Sequence, residues 1–161
     1  MIAITTRLGP LTPSTGGNYA NDHNSGPQNH GAAGQGGPLL TALEAICRAH
    51  GITLGEVQAI GAVSQARVGY YHQGEQKYQF LELAQPLELL ALTGNVSLKD
   101  GQPFVHAHVT LGDKDGNALG GHLAQGTVVF ACEFTLQEYR AAQPLERHLD
   151  EATALFLWPG K

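Results

Sequence analysis

Three histidines have the type and spacing to do chemistry: His106 and His108 in a His-Ala-His step, and His122 further along the chain. From Phe104 to Leu111 the sequence alternates. Val105, Ala107, Val109 and Leu111 are apolar on one parity, and Phe104, His106, His108 and Thr110 share the other. That pattern predicts a strand with one buried face. Side chains two residues apart on a strand point the same way, about 6.6 Å apart along it. Two imidazoles reaching from there can meet on one ion, with Zn–N bonds of about 2.0–2.1 Å.

The third ring depends on turn chemistry. Asp113-Lys114-Asp115-Gly116-Asn117 fits a type I turn with Gly116 in the left-handed position, which makes a three-residue hairpin loop. That register pairs Asp113 with Asn117 and sets His122 opposite His108 on the same face. A two-residue Asp-Gly turn would pair Lys114 with Asn117 and send His122 to the other face, unless a bulge at Gly120-Gly121 restored the parity. A lone His-x-His is a weak signal, since neutral histidines also line wet clefts. A third histidine across a predicted hairpin makes it a stronger one. Three neutral imidazoles suit Zn²⁺, with other divalent transition metals as alternatives. Only three protein ligands are evident, so a position stays open to water or a small oxygen ligand, as in catalytic rather than structural zinc sites.

Other groups are candidates for supporting roles. Glu88 fits a general base or a partner to a ligand, and a solvated charge is its plainer reading. Arg67 fits a group holding a carboxylate near the metal, and a surface or interface arginine is its plainer reading. Cys132 and Glu133 could add a ligand, although their opposed parities allow only one to face the site. Ser64 lacks a histidine and acid at triad spacing. No strand–GxGxxG–helix unit surrounds Gly61 or Gly94, so no phosphate-binding fingerprint exists there.

The elements that must position these residues are mostly strands. Met1–Arg7 reads as one. From Thr12 to Gly37 no Leu, Ile, Val or Phe occurs, which predicts a long mobile surface loop at about 12–37; a lid lending His23 or His30 is the sharper version. A helix follows, with Pro38 in its first turn, Leu39, Leu43 and Ile46 at helical spacing, and Gly51 as its stop. Strands are expected over Val57–Val68 (running into Tyr70 and Tyr71), Tyr78–Leu83 and Glu88–Leu98. In the last of these Leu90, Leu92, Val96 and Leu98 share one parity. Phe104–Leu111, Leu119–Leu123 and Thr127–Leu136 should form a meander, with Thr153–Trp158 as a final strand. The expected class is α+β: a mainly antiparallel sheet with one or two packed helices in a single domain.

Composition sets outer limits. Nine basic residues against fourteen acidic give a net charge of -5, without the basic excess that phosphate contact requires. Cys47 and Cys132 are the only cysteines and form no CxxC, which points to a reducing compartment. No secretory start and no run of membrane-spanning length occur, so the expectation is a cytoplasmic protein without a membrane partner.

Glu88–Asn95 (ELLALTGN), Gly101–His108 (GQPFVHAH), Asp115-Gly116 and Gly120–Leu123 (GGHL) together resemble the plant-and-prokaryote-conserved (PPC) domain. Cys47–Gly51 and Ala59–Ser64 fit its first half, and the resemblance covers most of Thr41 to Trp158. It implies an antiparallel α+β domain assembled as a homotrimer, with His106, His108 and His122 as metal ligands. The family's DNA-binding label leans on plant members with an AT-hook, an Arg-Gly-Arg-Pro element absent here, so nucleic acid is not expected to bind through this domain alone. The histidine arrangement is also similar to that of acetolactate decarboxylase. By analogy this makes a zinc-dependent enzyme acting on a small carbonyl or carboxylate one alternative to a metal-binding module open to a small ligand; a DNA-binding or transcription-regulatory module is the other.

Overall fold

The computed structural model describes residues 25–159. The strand expected over Met1–Arg7, the first part of the 12–37 loop and His23 lie outside them. The described chain is an α+β domain, mostly antiparallel strand with one helix. Strands β1 (Ser25–Ala33), β2 (Gly55–His72), β3 (Lys77–Leu83), β4 (Leu87–Lys99), β5 (Gln102–Gly112), β6 (Ala118–Leu123) and β7 (Val128–Tyr139) make one sheet, ordered β1-β7-β2-β4-β5-β6 with β3 also on β2. Two short strands, β8 (His148–Asp150) and β9 (Leu155–Leu157), pair with each other.

Helix α1 (Leu39–His50) starts where Pro38 ends an extended stretch, and its first amide is taken up by Thr127 O at 2.9 Å. It stops at Gly51, whose φ of 67° only glycine adopts freely. Leu39, Leu43, Ile46 and Cys47 are its buried stripe. They join Val57, Val63, Leu89, Leu92, Val96, Val105, Leu111, Leu123 and Leu136 in one continuous core.

The 18-residue β2 organises the sheet. Its first half pairs with β4 and β7, and its second with β3 and, at Val68 and Gly69, with β6. That last pairing closes the circuit β2-β4-β5-β6 and holds the β5–β6 hairpin against β2.

Three expectations need correction. Ser25–Ala33 is strand, not loop: it pairs with the free edge of β7, and backbone bonds there need no large apolar side chains. The meander is broken, since β7 pairs with β2 and β1 rather than β6. After β6 the chain is tied to β2 by Ala124 N on Arg67 O (3.1 Å) and by the Thr127 hydroxyl on the same carbonyl, so it continues along β2 instead of doubling back. Leu90 is 53% exposed while Leu89 and Leu92 are buried. It is the extra residue of a bulge between Leu89 and Ala91, which resets the parity of β4.

Candidate metal centre

The β5–β6 loop has the three-residue form. Asp113 N donates to Asn117 O and Gly116 N to Asp113 O, both at 3.1 Å, with Gly116 at φ 81°. The Asp113 carboxylate accepts from the amides of Asp115 and Asn117 and from Asn117 Nδ2. The bonds from Asn117 foremost hold its pKa below the usual carboxylate value. Register then runs unbroken from Gly112–Ala118 to His108–His122, so no bulge at Gly120-Gly121 is needed. Gly120 is required for a different reason: a Cβ there would lie 2.4 Å from Val109 O.

The hairpin brings all three rings together. One nitrogen from each of His106, His108 and His122 lies within 4.8 Å of the others. Ring centroids are 5.4 Å apart for His106–His108, 5.1 Å for His106–His122 and 5.5 Å for His108–His122. His106 and His122 are half-buried and His108 faces solvent. The Tyr78 ring packs in a tilted arrangement against His122, with ring centroids 5.1 Å apart.

A donor set of this kind fits a metal on two observations. His122 Nδ1 is buried and has no hydrogen-bond partner, a costly arrangement for a polar atom unless something else takes its lone pair or proton. The buried rings are also held neutral, the form that ligates. Burial pushes His106 down to about 4, aided by His122, Arg147 and His108; burial again, then His108 and Arg147, pushes His122 down to about 4.

These shifts carry a stability consequence. Between about pH 4 and the ordinary value of 6.5 the two rings bind fewer protons folded than unfolded. Stability of chelated protein therefore rises with pH through that window and is lost as pH falls through it. Thermal unfolding followed from pH 7 to 4.5 should show a falling Tm, with a shallower slope in His122→Gln. Identical slopes in the two proteins would contradict the assignment.

Sequence reasoning missed Arg147. It is only 5% exposed and sits against β4, where Leu98 N donates to Leu145 O and Arg147 N to Leu98 O. Its Nε donates to Ser97 Oγ at 2.9 Å, one terminal nitrogen to Phe156 O at 3.1 Å, and the other to Asn95 Oδ1. Asn95 and Ser97 stand directly opposite His106 and Phe104. The guanidinium therefore lies beside the histidine cluster, and Arg147, His106 and His122 line one cavity of about 360 Å³. The usable signal was the polar parity Thr93, Asn95, Ser97 of β4: a buried serine there called for a buried partner.

The other candidates go elsewhere. Arg67 is ion-paired to Glu82 at 2.6 Å and lies over Phe80. Glu88 stands opposite Gly112 and lines a different cavity. Cys132 is buried between Gly61 and Ala33, and Glu133 lines a third cavity with His30, on the β1–β7 side. None of these four joins the three rings. His72 instead bonds Gln79, and Tyr71 donates to Thr153 O, tying β2 to the turn before β9.

The fold and the cluster define a class: a small antiparallel α+β domain with a strand-borne trio of histidines suited to a metal. Residues 31–140 match the Plants and Prokaryotes Conserved (PCC) domain, and the chain belongs to that family. It is similar to a plant- and prokaryote-conserved (PPC) protein of Pyrococcus horikoshii, at 36% identity and TM-score 0.81 over 85% of this chain and 94% of that one. It is also similar to a metal-containing protein of Archaeoglobus fulgidus, at 40% identity and TM-score 0.81 over 89% and 100%. A curated relative, the bifunctional protein GlmU of a Synechococcus strain, is 34% identical over 77% of this chain but 20% of its own length. The chain thus spans about a fifth of the curated relatives it matches.

Proposed function

We propose that this protein binds a divalent transition metal, zinc by preference, through His106, His108 and His122, and presents it to a small ligand at an open coordination position. The convergence of three nitrogens within 4.8 Å, one of them on the ring that carries an orphaned buried atom, is the observation that supports this most. Zinc accepts such a set in tetrahedral geometry and leaves one vertex free. The metal-containing relative from Archaeoglobus fulgidus agrees with it. The net charge of -5 disfavours contact with a phosphate backbone through this domain. Elemental analysis of protein purified without chelator tests the reading. It should find about one metal per chain, mostly zinc; background metal that dialysis against zinc does not raise would end it.

The site is presented, on this reading, by a cytoplasmic homotrimer. Ile60, Leu90 and Phe130 are 58%, 53% and 57% exposed and lie on the adjacent strands β2, β4 and β7. Large apolar side chains left exposed on neighbouring strands suit burial between copies. Light scattering should report three times the 17.0 kDa chain mass, and Ile60→Arg with Phe130→Arg should reduce it to one. A monomeric unaltered protein would remove the trimer. Among the described residues no helix is long and apolar enough to cross a membrane.

A further inference from the structure

We propose that the cavity shared by the histidines and Arg147 takes a small carboxylate with a short apolar body, whose acid group is received by the Arg147 guanidinium. The cavity is lined by His106 and His122 on one side, by Arg147, Lys99 and Lys77, and by the rings of Phe104 and Phe156. Its charged lining is wholly cationic. Lys77 is paired with Glu75 outside the lining. Lys99 has its ammonium 3.7 Å from the Phe156 ring centre, and no described carboxylate pairs with Lys99 or Arg147.

A buried arginine without an acid partner is unusual, because a desolvated cation needs negative charge close by. All three of its acceptors are neutral: a hydroxyl, a carbonyl and an amide oxygen. Five N–H groups minus three leaves two for a ligand. A divalent ion held by the neighbouring histidines would add two further positive charges to the same wall. An anion is the missing counterpart, and a planar guanidinium matches a carboxylate. Phe104 and Phe156 call for an apolar body beside the acid group, which a hydrated inorganic anion lacks. The volume of about 360 Å³ fits a compact organic acid. Arg67, which the sequence offered as a candidate for holding a carboxylate, is instead paired with Glu82, and Arg147 takes that role here.

The inference rests on the metal reading for part of its charge argument, so the test separates the two. Trp158, the only tryptophan, has its ring centre 5.5 Å from the Arg147 guanidinium carbon, and its fluorescence reports binding with or without metal. Zinc-loaded and chelated protein are titrated with n-butyrate, butyramide and inorganic phosphate at constant ionic strength. Butyrate should bind saturably to both preparations, about ten-fold or more tightly than butyramide, and tighter than phosphate. Arg147→Gln should weaken it by about ten-fold, and Lys99→Gln by a smaller factor with the fold intact by circular dichroism. If Arg147→Gln fails to fold, Lys99→Gln and the butyrate-to-butyramide ratio decide. Equal binding of butyrate and butyramide, unaltered butyrate affinity in Lys99→Gln and in any folded Arg147→Gln, or phosphate as the better ligand would each overturn the proposal. A protein that takes up no zinc yet discriminates butyrate through Arg147 would refute the metal reading and leave this one standing.

Discussion

His106→Ala and His122→Ala are each expected to purify with about a tenth or less of the zinc carried by the unaltered protein, while His30→Ala and His72→Ala keep all of it. Removing one of three ligands leaves two, and changing even an outer partner of a ligand weakens metal affinity by about 10–100-fold. The controls are informative because His30 lies on β1 facing Thr135 and His72 bonds Gln79, both away from the cluster. Stability adds a second, opposite signature. In chelated protein His122→Ala removes a buried nitrogen that has no partner, so it should cost little folding stability; losing an unsatisfied polar group offsets part of the cavity left behind. In zinc the unaltered protein should gain Tm, because metal binds the folded form, and His122→Ala should gain none. A purely structural histidine would behave the other way, lowering Tm in chelator and leaving the zinc response in place. Equal zinc content in all five proteins removes the centre.

The hairpin was legible because its determinants are local. Gly116 can take the left-handed position, Asp113 offers a carboxylate to three nearby donors, and the count from that turn to His122 is fixed by a period of two. Helix α1 was legible for the same reason: apolar spacing within it and glycine after it. What the sequence hid was set by distant partners. β1 has too few apolar side chains to read as a strand, and only the open edge of β7 makes it one. The bulge at Leu90 leaves no compositional mark in a run of leucines, so parity counted through it goes wrong by one. Arg147 sits in a polar stretch of no periodicity. It becomes part of the site because two backbone bonds to Leu98 lay its stretch of chain along β4, fifty positions from its partner Ser97.

Gly61→Ala is expected to cost roughly 3 kcal/mol or more, among the larger effects a single methyl group can have. Gly61 holds a φ of 146°, which a side chain rarely adopts. An added Cβ would lie 2.1 Å from Ala131 O and 2.8 Å from Cys132 Cα. Both are backbone atoms, so no rotamer change relieves them. Nor can β7 withdraw, because Cys132 is paired on both sides, to Gly61 and to Ala33. For a chain of this size each kcal/mol moves Tm by about 2–4 °C, so a fall of about 10 °C is expected. Gly74→Ala is the matched control: its Cβ meets nothing within 4 Å, and a change within about 0.5 kcal/mol is expected. The strain sits in the first half of β2 and the histidine contact at Gly69–His122 in the second, so the folded variant should still bind metal. Zinc at about 100 times its dissociation constant would then restore about 2.7 kcal/mol to variant and unaltered protein alike. Parallel zinc-dependent Tm shifts from two different starting points would show that β2 carries fold and site as separable halves; a variant that lost its zinc response while folded would show that they are one cooperative unit.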